Sequence, residues 1–189
     1  MSSPAACPVR LYHVSYKPLQ IGQPINPLFG RLGNAPDTYE LVRSAFSEGR
    51  KTLKALLLAD VLNTPCNQDP RLPMYLKETI FELVRSARFD SRPSRFESVF
   101  LFHTSQDAIQ FQRSHNRPHL VLCESQGATL IGLDMGLSGP MTDPLAPIDE
   151  QLTGLIDRAT RYWQGRMADE PRIEILATGG QVIVKEVVR

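Results

Sequence analysis

Residues 172–188 read RIEILATGGQVIVKEVV, two short apolar runs that meet at a pair of glycines. Isoleucine, leucine and valine dominate both runs, which is typical of strands. Thr178, Gly179 and Gly180 favour a tight turn, so we predict that the two runs form a hairpin. Glu174 interrupts the first run, and a buried carboxylate without a partner would be costly. Either Glu174 faces water on an edge strand, or it has a chemical role.

The rest of the chain shows strand character at its start and middle, with helical periodicity between. Strands are predicted at residues 10–15, 97–105, 119–125, 128–134, 172–177 and 181–188. Helices are predicted at residues 38–61 with a break at Gly49, at 74–88, at 105–115 with Ser105 as N-cap, and at 146–166. The apolar stripe of the 74–88 helix comprises Leu76, Ile80, Leu83, Val84 and Ala87. This order predicts a single α+β domain over residues 1–189, with a mainly antiparallel sheet.

The composition excludes several classes of protein. Apolar residues make up 42% of the chain and charged residues 22%, and the net charge of +1 gives no global attraction to nucleic acid or membrane. No run reaches the roughly 20 apolar residues of a membrane span, and the amino-terminal residues do not form a signal peptide. Three isolated cysteines, Cys7, Cys66 and Cys123, favour a reducing compartment. We therefore expect a cytoplasmic protein without a membrane partner, although the sequence leaves delivery into another cell open.

The usual catalytic motifs are missing from this sequence. It contains no phosphate-binding P-loop, dinucleotide glycine fingerprint, HExxH zinc motif or GxSxG nucleophile elbow. His115 and His119 are four residues apart, but Pro118 lies between them, so they cannot share a helical face. No metal site is predicted.

Three separated motifs, taken in order, resemble the ADP-ribosyltransferase superfamily, in its diphtheria-toxin and poly-ADP-ribose-polymerase branch. Residues 12–15, YHVS, are similar to the first-strand histidine motif. Residues 98–100, SVF, followed by Asp107-Ala108 and Phe111, resemble the aromatic strand and helix. Residues 174–176, EIL, stand where the late glutamate opens a strand. The resemblance implies that superfamily's fold, a split and mainly antiparallel sheet with helices between the strands.

A closer resemblance extends over nearly the whole chain. The segments LYHVS, FELVRSARFDSRPSRFESVFLF, LDMGLS and IEILATGG are similar to an uncharacterised bacterial domain family often placed near that superfamily.

The superfamily resemblance implies that NAD is the substrate and that its nicotinamide–ribose bond is cleaved. ADP-ribose would pass to water or to an unknown acceptor, which could be a protein, a small molecule or a nucleic acid. Glu174 and His13 would be the catalytic residues, because a carboxylate stabilises the positive charge that develops as such a bond breaks. The residues implied to bind the cofactor are His13, Ser15, Phe100, Phe111, Arg92 and Arg95. The arginines would hold the diphosphate by bidentate contacts.

The sequence departs from the superfamily pattern at three positions. Val14 replaces a glycine, Phe100 lacks the tyrosine hydroxyl, and Arg172 stands where arginine-modifying relatives have Glu or Gln. Two alternatives therefore stay open: a catalytically inactive binding module, and an enzyme similar to RNA 2'-phosphotransferases. The roles of single residues also have alternatives. Glu186 could be the catalytic carboxylate instead of Glu174, and Phe100 and Phe111 could be core residues. The arginines could form a solvated helix end.

Overall fold

The structure, a computed structural model, describes residues 9–27, 72–139 and 148–188. The helix predicted at 38–61 lies outside these residues. The strands are β1 (Val9–Ser15), β2 (Val99–Leu101), β3 (His119–Gln126), β4 (Thr129–Asp134), β5 (Ile173–Thr178) and β6 (Gln181–Val188). The helices are α1 (Leu72–Arg88), α2 (Ser105–Ser114) and α3 (Ile148–Trp163), with a 3-10 turn at Met135–Ser138. None of the described helices is long and apolar enough to cross a lipid bilayer.

The described strands form two antiparallel sheets, which confirms the predicted α+β class. One sheet has the order β1-β3-β6 and the other β2-β5-β4. The sheets are joined where Tyr12 and Phe102 exchange two backbone hydrogen bonds of 2.8 Å each. The two sheets are thus separate but linked at the Tyr12–Phe102 contact.

The predicted hairpin at residues 172–188 is wrong, because β5 and β6 belong to different sheets. The chain crosses from one sheet to the other at Gly179 and Gly180, and it also crosses at Gly127, between β3 and β4. The two crossings touch each other. A methyl group on Gly180 would lie 2.5 Å from both the Gln126 carbonyl oxygen and the Gly127 carbonyl carbon, and closer still to the Ala128 amide nitrogen. Only a glycine allows the two backbones to approach this closely.

The layers enclose three groups of buried side chains. The intersheet core lies between the sheets and contains Leu11, Val99, Leu101, Val121, Cys123, Ala177, Val182 and Val184. The helix-side core lies between the β2-β5-β4 sheet and helices α1 and α3, and contains Ile80, Phe81, Val84, Leu133, Leu155, Ala159, Tyr162, Trp163 and Leu176. The α2 cluster contains Val14, Phe102, Ala108 and Leu120, with Phe111 packed against it.

The helices follow the predicted stripes, with two corrections. Ala87 of α1 is exposed rather than inward, and the N-cap of α2 is Thr104 rather than Ser105. The Thr104 side chain accepts a hydrogen bond from the Asp107 amide, as a cap residue should. In α3, Trp163 is fully buried as predicted, and its indole nitrogen donates to the Phe81 carbonyl oxygen of α1 at 2.7 Å.

Asp134 fixes the start of β5. Its carboxylate is fully buried and accepts hydrogen bonds from the backbone amides of Gly136, Ala168 and Arg172, at 2.8, 2.7 and 2.9 Å. A buried carboxylate is tolerated when amide donors satisfy it in this way. The contacts tie the segment that enters β5 to the end of β4, and so determine where Arg172 and Glu174 lie.

We predict that Gly180→Ala destabilises the protein by about 2 kcal/mol or more, because its methyl group would overlap the backbone of the other crossing. Gly154→Ala is the matched control, since Gly154 lies in α3 with open space around it. That substitution should stabilise the protein by about 0.5–1 kcal/mol through helix propensity. Urea unfolding of both variants measures the difference. Equal free energies of unfolding would show that the crossings do not meet as described.

Candidate functional site

Arg95 forms a buried ionic cluster with two carboxylates and a tyrosine. Its Nε donates to Glu78 Oε2 at 2.7 Å and its Nη2 to Glu78 Oε1 at 3.2 Å, a bidentate contact. Its Nη1 donates to Glu174 Oε1 at 2.6 Å and to the Tyr162 hydroxyl at 2.5 Å. The Tyr162 hydroxyl in turn donates to Glu174 Oε1 at 3.0 Å. Each nitrogen of the guanidinium therefore has a partner.

Elements distant in the sequence supply these partners. Glu78 comes from α1, Tyr162 from α3 and Glu174 from β5, while Arg95 lies in the loop before β2. The ring of Phe100 in β2 lies against the guanidinium, with its centroid 4.6 Å from Arg95 Cζ. Arg95 is 3% exposed and Glu174 is 5% exposed, so the cluster belongs to the interior and not to the surface.

The charges in this cluster hold one another ionised. Burial alone would raise the pKa of Glu78, but the positive charges of Arg95 and Lys77 outweigh it and lower the pKa to about 2. Burial alone would lower the pKa of Arg95, but Glu174 and Glu78 raise it well above its ordinary value. Burial raises the pKa of Tyr162, and the neighbouring Glu174 carboxylate adds to the shift. The tyrosine is thus a neutral hydrogen-bond donor.

His13 lies on the other side of the β2-β5-β4 sheet from this cluster. It pairs with Val121 in the β1–β3 register, and both face the intersheet core. Its Nδ1 lies 2.9 Å from the Phe100 carbonyl oxygen, so it contacts the backbone of β2. Glu174 alternates with Leu176 and faces the helix-side core. The structure does not bring these two predicted catalytic groups to one surface.

The other predicted residues are also dispersed. Phe100 and Arg95 accompany Glu174, whereas Phe111 packs in the α2 cluster. Ser15 is buried, and its hydroxyl accepts a hydrogen bond from the Lys17 amide. The carbonyl oxygen of Arg92 accepts a hydrogen bond of 2.9 Å from Arg85.

A shallow cleft lies between α2 and the entry to β5, with about 230 Å³ of empty space when open solvent is included. Its walls are apolar and partly aromatic, and polar groups stand among them. The residues that line it are Phe102, Asp107, Gln110, Phe111, Met135, Arg172 and Ile173. The rings of Phe102 and Phe111 are 5.0 Å apart and tilted by 41°. Apolar walls with a few polar groups are the usual chemistry of a small-ligand site.

Positive charge surrounds the Phe111 side of this cleft. Arg117 Cζ lies 5.1 Å from the Phe111 ring centroid, and His115 stacks on the same ring at 4.0 Å. Partial burial lowers the pKa of His115, and the charges of Arg117, Arg172 and Lys77 lower it further. Partial burial likewise lowers the pKa of Arg117. The neutral form of His115 is therefore favoured.

Sequence reasoning missed several residues that shape both sites. Glu78 and Glu82 of α1 are buried, although the amphipathic pattern predicts them on the exposed face. The sequence pattern does not mark Tyr162 or Asp134 as a site residue. Tyr162 only precedes Trp163, and Asp134 only ends a predicted strand. Arg117 precedes a proline, which restricts its backbone, and this is the one local signal at that position. The signal does not identify its aromatic neighbours, because Tyr16 and Phe111 come from other parts of the chain.

We predict that Glu78→Gln lowers the free energy of unfolding at pH 7 by about 3 kcal/mol, because Arg95 loses its bidentate partner. The lowered pKa of Glu78 gives the wild type stability that is fully present above pH 4.5 and is lost as the pH falls towards 2. Urea unfolding between pH 7 and pH 3 should therefore give a flatter pH dependence for the variant.

The exposed Glu170 provides the control for this experiment. Glu170→Gln should follow the wild-type pH profile. If Glu78→Gln and the wild type lost stability in parallel below pH 5, the ionic cluster would not have the described role.

Comparison with known proteins gives a family for this chain. No curated protein matches the sequence. The family model described as "Protein of unknown function (DUF2441)" matches residues 50–189, which include the ionic cluster and the cleft but not β1 with His13. This match covers well over half of the chain. The chain therefore belongs to the DUF2441 family.

Proposed function

We propose that the chain is an ADP-ribosyltransferase-like binding module, which holds the adenine nucleotide half of NAD or of ADP-ribose without cleaving it. The observation that carries this proposal is the half-buried ring of Phe111 on the wall of the cleft, with the buried Phe102 packed behind it. A flat heteroaromatic ring that stacks on an aromatic side chain gains about 1–3 kcal/mol. Gln110 supplies an amide that can hydrogen-bond to the ring edge.

The size of the cleft favours one end of a dinucleotide. Its roughly 230 Å³ of empty space includes open solvent, so the cleft is shallow and does not enclose a ligand. It can contact one ring at its surface, but it cannot hold a whole dinucleotide. The remainder of the ligand would extend over the surface beside Arg172.

The charge around the cleft favours adenine over nicotinamide. The nicotinamide ring of NAD carries a positive charge, and Arg172 and Arg117 stand on the Phe111 side of the cleft. Like charges repel, whereas the phosphate attached to a neutral adenine is attracted. Phe111 thus keeps the cofactor-binding role that the resemblance implies, as a contact for the adenine ring.

The ionic cluster supports binding without cleavage. Glu174 Oε1 already accepts hydrogen bonds from Arg95 and Tyr162, and the carboxylate faces the helix-side core. To reach a ribose hydroxyl in the cleft it would have to leave a buried guanidinium uncompensated, which costs about 3–5 kcal/mol.

Cleavage of the nicotinamide–ribose bond is the second candidate function, and one observation favours it. Ile173 and Arg172 line the cleft, and Glu174 is the next residue of the same strand. A modest rearrangement at the entry to β5 would bring that carboxylate to the edge of the cleft.

Isothermal titration calorimetry with ADP-ribose tests the proposal. We expect wild-type protein to bind, and Phe111→Leu, which keeps the apolar volume but removes the flat face, to weaken binding by about tenfold. Phe100→Leu is the matched control, because that ring contacts Arg95 and does not line the cleft. Binding that is lost in Phe100→Leu but kept in Phe111→Leu would contradict the proposal.

A parallel assay for released nicotinamide separates the two candidate functions. We expect no release from NAD by the wild-type protein. Release that disappears in Glu174→Gln, while ADP-ribose binding is kept, would favour the enzyme over the binding module.

A further inference from the structure

Arg117 is a cation without a counter-ion in the described part of the chain. Its Nη1 is 3.4 Å from the Val14 carbonyl oxygen, a weak contact, and its side chain also hydrogen-bonds to Tyr16. Its Nε is buried and has no hydrogen-bond partner among the described residues. The guanidinium lies between two rings, with Cζ 4.4 Å from the centroid of Tyr16 and 5.1 Å from that of Phe111. No described carboxylate forms a salt bridge with it. A buried donor in this state is costly unless a ligand satisfies it.

Arg172 lines the cleft beside Phe111, the ring on which Arg117 packs, and likewise makes no salt bridge with a described residue. Its side chain is exposed. Its backbone is held by two hydrogen bonds, because its amide donates to Asp134 and its carbonyl oxygen accepts from Met135. The exposed guanidinium therefore starts from a fixed backbone at the edge of the cleft.

The negative groups near this cleft are already engaged. Asp107 accepts a hydrogen bond of 2.6 Å from the Thr104 hydroxyl within the cap of α2. Asp134 is fully buried and is satisfied by three backbone amides. Lys77, the third cation that acts on His115, is bound to Glu78 and to the Ser138 carbonyl oxygen. Arg117 and Arg172 are thus two cations near Phe111 that no described carboxylate neutralises.

We propose that Arg117 and Arg172 form a phosphate subsite beside the Phe111 wall of the cleft, so that the ligand class is a phosphorylated nucleoside. This inference rests on the proposed function, because the cleft would hold the ring to which the phosphate is attached. Guanidinium groups suit the task, since their fork of donors matches phosphate oxygens. His115 contributes a neutral ring that stacks on Phe111, with its Nδ1 near the Ser114 hydroxyl and the Phe111 carbonyl oxygen.

Calorimetry with three probes tests this subsite: adenosine, AMP and inorganic pyrophosphate. We expect AMP to bind at least about tenfold more tightly than adenosine, since hydrogen bonds to charged groups are the stronger ones. Arg117→Gln should remove most of that advantage and leave adenosine affinity unchanged within about twofold. Arg172→Gln, a substitution at an exposed side chain that should not disturb folding, should act in the same direction.

Arg88 provides the control for charge loss. It is an exposed arginine at the end of α1, eleven residues beyond Lys77 and so about 16 Å further along the helix axis. Arg88→Gln should leave the affinity for all three probes unchanged. An AMP affinity that is unaltered in both Arg117→Gln and Arg172→Gln would overturn the subsite.

The probes distinguish failure of the subsite from failure of the proposed function. If adenosine and AMP bind equally well to the wild type, the cleft binds the ring and the phosphate subsite is contradicted. If pyrophosphate binds in an Arg117-dependent way and adenosine does not bind, the subsite is supported and the proposed nucleotide function is contradicted. If none of the three probes binds, both proposals are contradicted.

Discussion

The guanidinium of Arg95 is buried, and its charge must be matched where it lies. Two carboxylates do so, one from α1 and one from β5, and the Tyr162 hydroxyl completes the set. Such a cluster adds little net stability compared with apolar residues of the same volume, but removal of one partner is costly. Its main consequence is geometric. Helix α1 cannot shift relative to the β2-β5-β4 sheet without separating charges inside the core, and α3 cannot shift without breaking the hydrogen bonds of Tyr162.

This constraint determines what Glu174 can do. The residue stands where the superfamily resemblance places a catalytic glutamate, but its carboxylate is turned towards the helices and held by Arg95. His13 faces the intersheet core instead. The cleft is formed by α2, the 3-10 turn and the entry to β5. The cleft and the ionic cluster thus involve neighbouring parts of the same strand but face different surroundings.

Much of the fold follows from local patterns in the sequence. Alternating and β-branched runs gave all six described strands, and apolar periodicity gave the three described helices. The failures have physical causes. The TGG turn is equally suited to a hairpin and to a crossing between sheets. Gly180 lies against residues 126–128 in the crossing, and this contact joins distant parts of the chain, so no local pattern predicts it. Propensity also could not separate Thr104 from Ser105 as the cap.

The sites were harder to predict, because their contacts join residues far apart in the chain. Arg95 meets Glu174 across 79 positions and Tyr162 across 67. No periodic pattern connects such residues, so the sequence predicts Arg95 only as a ligand of the diphosphate or as part of a solvated helix end. It predicts Phe111 as a cofactor-binding residue, but the neighbours Phe102 and Arg172 depend on how α2 packs beside β5. Local patterns specify elements, whereas packing specifies which side chains meet.

The central claim is that adenine packs in the cleft against Phe111, and intermolecular nuclear Overhauser effects test it most directly. Protein with labelled phenylalanine rings would be saturated with AMP, and contacts from the adenine H2 and H8 protons would be recorded. The account predicts contacts to the ring of Phe111 and none to Phe100. Contacts to Phe100, or an adenine without contact to Phe111, would contradict it.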